Sequence, residues 1–172
     1  VLSSQGCDGS LKGFMSVVDV TLQDVRTRLG ADVADRIVSL SKHAKDAYSN
    51  KNHALEADLR GQIGDILSSV GDKDCYQLAG DQYALQGTAY ECASMLDPHA
   101  FRAYGDAMMA YERASQNDTL TYFRVRLRYA ILMEDIEPDR TEVMRTFATL
   151  SQSCKFDEIK VIALRRTVIV SL

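Results

Sequence analysis

A chain of 172 residues with 46% hydrophobic side chains has the length and apolar content of one domain with a sizeable core. Lys and Arg number 20 against 24 Asp and Glu, a net charge of −4, so no global field draws the protein to nucleic acid or to an anionic membrane. Two prolines, no tryptophan and abundant Ala, Leu, Asp, Arg and Gln tilt it toward helix and away from a sandwich or barrel, and no apolar run approaches the roughly 20 residues that cross a bilayer.

Residues 1–9 read as a polar N-terminal segment and 10–172 as a single helical domain. The chain opens at Val1 rather than Met, which implies that preceding residues were removed, by export processing or by trimming. Beyond it apolar residues recur three and four apart, the helical period. The first segment, Ser10 to about Leu29, carries Leu11, Phe14, Val18, Leu22, Val25 and Leu29 and stops at Gly30. The second, Asp32 to Tyr48, breaks at Ser49–Asn52. The third, His53 to Val70, uses Leu55, Leu59, Ile63, Ile66 and Val70 and closes at Gly71; Gly61 and Gly64 inside it mark a place where another helix crosses closely.

The fourth segment, Cys75 to Leu96, ends at Asp97–Pro98, where Asp caps and Pro suits the first turn of the next helix. The fifth carries Phe101, Tyr104, Met108 and Tyr111. The sixth, Thr119 to Met133, aligns Leu120, Phe123, Leu127 and Ile131, although Phe123, Val125, Leu127 and Tyr129 alternating with Arg124, Arg126 and Arg128 also fit a strand. A short helix follows on Val143, Phe147 and Leu150. In the tail, Phe156, Ile159, Ile162 and Ala163 are helical in spacing, while the β-branched Thr167–Val170 fits extended chain. The expected class is all-α: a single-domain helical bundle or stacked antiparallel pairs of about seven to eight helices.

The fourth segment carries the most information. Tyr76, Gly80, Tyr83, Gly87, Tyr90 and Ser94 form one stripe at about 100° per residue, and Leu78, Leu85, Ala89, Ala93 and Leu96 form another nearly opposite. A helix with two faces to bury belongs in the centre of the fold, its glycines admitting a neighbour and its tyrosines filling space beside them. The seven-residue spacing returns as Tyr104 and Tyr111, then as Tyr122 and Tyr129. Tyr76, Tyr83, Tyr90, Tyr104, Tyr111, Tyr122 and Tyr129 therefore define a candidate partner-binding face, because tyrosine combines apolar area with a polar tip. The alternative is that these rings pack the three helices against one another. Tyr76-x-x-Ala79-Gly80-x-x-Tyr83 resembles the first helix of a tetratricopeptide repeat, but it returns after seven residues rather than about 34, and no membership follows.

Four cysteines, with Cys7 and Cys154 in polar surroundings, favour disulfides and an oxidising compartment, periplasmic or secreted. If the fourth segment is one helix, Cys75 and Cys92 stand about 25 Å apart, beyond the roughly 7 Å limit of a bridge, and must pair with Cys7 and Cys154. If the helix starts only near Asp81, Cys75 can fold back to Cys92 and leave Cys7 for Cys154. The loop-like Asp72–Asp74 and Gly80 favour the second arrangement. A lipid-modified Cys7 fits its flanks poorly.

No residue set points to catalysis or to a cofactor. His43, His53 and His99 are scattered, and His53 with Glu56 reads as a solvated pair rather than a metal site. The acidic run Glu134–Asp139 lacks the spacing and glycine of a calcium loop and reads as a turn with capping acids. Arg124, Arg126 and Arg128 read as a solvated flank. The expectation is a non-enzymatic, exported module that binds another protein, of inhibitor, immunity or accessory type, with a homodimer left open. The alternative is a carrier of a small apolar ligand between helices, suggested by Met108, Met109, Met133, Met144 and Phe147.

Overall fold

The computed structural model describes residues 28–93 and 98–171. Seven helices follow one another there: α1 Ala31–Ser49, α2 His53–Val70, α3 Lys73–Ala93, α4 Pro98–Arg113, α5 Leu120–Ile136, α6 Arg140–Ser153 and α7 Asp157–Val170. The described residues contain no strand, so the all-α class holds. Cys7 and nearly all of the amphipathic segment from Ser10 lie outside them.

Local chemistry sets the boundaries. Asn52, Thr119 and Asp139 each accept a hydrogen bond from a backbone N–H in the first turn of the helix they precede. Gly71 ends α2 at φ 83°, a left-handed conformation that glycine adopts without strain. Asp72 then accepts from the Cys75 N–H at 2.8 Å, so the stretch expected to be loop-like is the start of α3. The two strand-compatible stretches are helical. In α5 the apolar residues of the alternation are all inward or at the margin, and in α7 Ile159, Ala163 and Val170 are buried, so packing overrides β-propensity.

Each helix packs on its predecessor and its successor, with α5 also touching α7, so the fold is a stack of consecutive helices. Paired contacts give the sense of each junction: Gly64 and Asp58 of α2 meet Tyr83 and Tyr90 of α3, an antiparallel register. Ile37, Ile63, Leu67, Leu78, Phe123, Phe147, Leu150 and Ile159 belong to one continuous core. As its two apolar stripes imply, α3 is central, and every residue from Leu78 to Leu85 is buried.

Among the described cysteines none forms a disulfide. This corrects the expected bridges. Cys75 and Cys92 are on the same unbroken helix, 17 residues apart, which at 1.5 Å per residue forbids the favoured pairing. Cys75 and Cys154 are buried, and burial with the nearby Asp72 pushes the Cys75 thiol up to about 12.

Candidate functional site

The tyrosine stripe has a mechanical explanation in the glycines. A methyl group added to Gly64 would fall 2.5 Å from the Tyr83 ring; on Gly80 it would fall 2.8 Å from Tyr111, and on Gly87 2.8 Å from Tyr104. The seven-residue spacing of Gly80 and Gly87 on α3 thus meets the same spacing of Tyr104 and Tyr111 on α4, run in reverse. Gly61 receives Gln86, so both glycines of α2 sit under α3, as a close crossing requires. Tyr83 and Tyr90 of α3 turn back to α2 while its glycines accept the rings of α4. Tyr129 of α5 continues the series over Gly105, stacked on Phe101 at 4.2 Å between centroids.

Each buried hydroxyl donates to a carboxylate on the preceding helix: Tyr83 to Asp65 at 2.9 Å, Tyr104 to Glu91 at 2.7 Å, Tyr111 to Asp81 at 2.7 Å and Tyr122 to Glu112 at 2.8 Å. Tyr90 donates to Asp58 at 3.0 Å, and Arg113 lies over the Tyr76 ring. Burial, reinforced by these carboxylates, pushes the Tyr83 and Tyr122 phenols up to about 12 and holds those of Tyr104 and Tyr111 well above the ordinary phenol range. Burial likewise lifts the Asp81 carboxyl to about 6, against the Tyr111 hydrogen bond.

The seven tyrosines therefore do not make one surface. Tyr83, Tyr104, Tyr111 and Tyr122 are buried between helices, and Tyr76, Tyr90 and Tyr129 are half-buried at the margins. Tyr83, Tyr104 and Tyr111, each pressed on a neighbour's glycine with its hydroxyl given to a carboxylate, are committed to packing between helices. The packing alternative accounts for their spacing.

Two features escaped the sequence. Glu56 and Arg60, each 1% exposed, are buried with the wholly buried Gln82, and Arg60 donates to Gln82 at 3.2 Å. Arg60 stands 3.8 Å from Glu56, which also faces His53 at 3.5 Å, so the supposed solvated His53–Glu56 pair is half of an internal charge network. Burial raises the Glu56 carboxyl against the opposing pull of Arg60 and the His53 hydrogen bond. An i,i+4 Glu–Arg pair is the signal, but on sequence it looks like any exposed helix pair. The arginines of α5 are likewise not a simple flank: Arg124 pairs with Glu158 of α7, Arg126 donates to Ser153 of α6, and Arg128 grips Glu91 of α3 at 2.5 Å.

The second missed feature is α7. Its inner side buries Ile159, Ala163 and Val170, while Val161, Ile162, Leu164, Val168 and Ile169 are exposed, the last two at 60%. Elsewhere the acidic run is absorbed locally, with Glu134 paired to Arg166 and Asp139 capping α6. Met108, Met133 and Met144 pack against the core, to which the fully buried Phe147 belongs, whereas Met109 is exposed. The described residues hold no group of three or more metal-ligating side chains and no helix long and apolar enough to cross a membrane. No protein-family model, curated protein or solved structure matches the chain significantly.

Proposed function

We propose that this protein is a non-enzymatic protein-binding module that docks its partner on the outer face of α7. The carrying observation is that α7 is apolar on both sides but covered on one. A helix hydrophobic all round is normally enclosed by its surroundings. Five large side chains within nine residues, Val161 to Ile169, leave roughly 400–500 Å² of apolar surface, the size at which a patch on a monomer is commonly functional. The tyrosines seal the stack that holds this face in place, so they support docking indirectly.

A photo-cross-linking side chain at position 164, compared with one at position 38, tests the reading. Leu164 and Val38 are equally exposed, at 54%, on the last and first described helices. In extract from the native source, position 164 is expected to give a discrete adduct that unlabelled protein competes away and the Leu164→Asp/Val168→Asp variant does not. Identical adducts from both positions, or none from 164, would contradict it.

A further inference from the structure

Resting on that docking face, we propose that its occupant is an amphipathic α-helix of another protein, carrying a carboxylate within its apolar stripe against Arg165. Around α7 at 100° per residue the outer face runs Leu164, Asp157, Val168, Val161, Arg165, Glu158, Ile169, Ile162; the two acids belong to its first turn, and Arg165 is the one cation inside the apolar band. Arg165 is exposed, and no carboxylate among the described residues stands within ion-pair distance of it. Its neighbour Arg166 is held by Glu134 at 2.5 Å, and Arg124 on α5 by Glu158 of α7. Glu158 and Arg166 are thus engaged by α5, while Arg165 stands exposed on the outer face.

Any apolar body covering this band removes Arg165 from water. An unpaired buried cation is strongly unfavourable, so a stable occupant supplies an anion there, and the planar guanidinium takes a carboxylate on two parallel hydrogen bonds. The described junctions use related chemistry: Tyr83 on Asp65, Tyr111 on Asp81 and Tyr122 on Glu112 each join a donor to a carboxylate across two packed helices.

Charge argues against a second copy as the occupant. The exposed apolar residues run from 161 to 169, and the midpoint of that span is residue 165 itself. A two-fold contact pairing the band with itself would set Arg165 against its own copy. A lipid surface fits less well, because membrane-lying helices carry their cations on the polar side and α7 opens with Asp157 and Glu158.

The probes are three synthetic helical peptides sharing one Leu/Ile stripe and differing at a single central stripe position, Glu, Gln or Lys. Binding to the full chain is followed by fluorescence anisotropy at low and high salt. The Glu peptide is expected to bind roughly tenfold more tightly than the Lys peptide, with the gap narrowing in salt, and Arg165→Glu is expected to reverse the order. Circular dichroism establishes that the variant is folded. Equal binding by all three peptides would overturn the carboxylate while leaving the docking face intact. No binding by any peptide, together with a silent cross-linker at 164, would remove both. Self-association abolished by Leu164→Asp would make the occupant a second copy, and Leu164-dependent binding to phosphatidylserine vesicles would make it a membrane; either overturns the inference.

Discussion

Replacing Gly80 with alanine tests the interlock between α3 and α4 at one atom. The new methyl would stand 2.8 Å from Tyr111 Cε1 and 2.9 Å from Cδ1, closer than carbon atoms pack. The ring cannot swing aside cheaply, because it is 2% exposed and its hydroxyl is bonded to Asp81 at 2.7 Å. Overpacking costs about 1–3 kcal/mol, and loss of a hydrogen bond to a carboxylate about 1.5–3 kcal/mol. Alanine returns about 1 kcal/mol through helix propensity. The balance is a loss of about 1.5–5 kcal/mol, which for a chain of this size lowers Tm by roughly 2–4 °C per kcal/mol. Urea denaturation of Gly80→Ala, Tyr111→Leu and the double variant measures it. Removing the ring removes the clash, so Gly80→Ala should become neutral or slightly stabilising there, with a coupling of about 2 kcal/mol or more. If Gly80→Ala stabilises the protein and the two substitutions are additive, the ring does not sit on this glycine.

The same reasoning predicts the opposite sign at Gly105, where a methyl would lie 3.6 Å from Tyr129 in ordinary contact; Gly105→Ala should raise stability by about 0.5–1 kcal/mol in the same assay. Asp81 carries a raised carboxyl in the folded state, about 6 against 3.8, so the folded protein holds that proton more tightly. Its ionisation costs stability as pH rises from about 4 to 6, by up to about 3 kcal/mol. Asp81→Asn keeps an acceptor for Tyr111, and its stability relative to the parent should therefore climb over that range; a pH-independent difference would exclude a buried titrating Asp81. At alkaline pH, Tyr83, Tyr104, Tyr111 and Tyr122 hold their protons beyond the ordinary phenol range, so the stability they lend is present below about 10 and lost as pH rises past it. Phenolate absorbance should show these four of the eight tyrosines silent until the helices melt, and complete ionisation near pH 10 with helicity intact would refute it.

The helices were legible because punctuation and period agree: Gly71, Pro98, Thr119 and Asp139 each stand at a boundary, and the two-sided pattern of α3 predicts its central burial. The close crossing at Gly61 and Gly64 was legible too, since glycine inside a helix costs stability unless something needs the space. Periodicity names the face of a helix but not what meets it, which is why the spacing of the tyrosines did not reveal that Tyr83, Tyr104, Tyr111 and Tyr122 are buried between helices. Glu56 and Arg60 were hidden because a buried ion pair and a solvated one share the same spacing. At α3 the acidic Asp72–Asp74 resembles a loop, yet Asp72 acts as the cap, and that single hydrogen bond moves Cys75 into the helix and out of reach of Cys92. The outer face of α7 was obscured by its β-branched residues, whose propensity pointed to a strand while packing of Ile159, Ala163 and Val170 holds a helix.

Hydroxyl-radical footprinting of the native protein reads side-chain exposure residue by residue and compares both surfaces in one experiment. Leu164, Val168 and Ile169 should oxidise rapidly, while Tyr104 and Tyr111, despite the greater intrinsic reactivity of phenols, should be almost untouched until the chain unfolds. Rapid oxidation of those two tyrosines alongside a protected α7 would place the exposed surface on the rings and contradict the account.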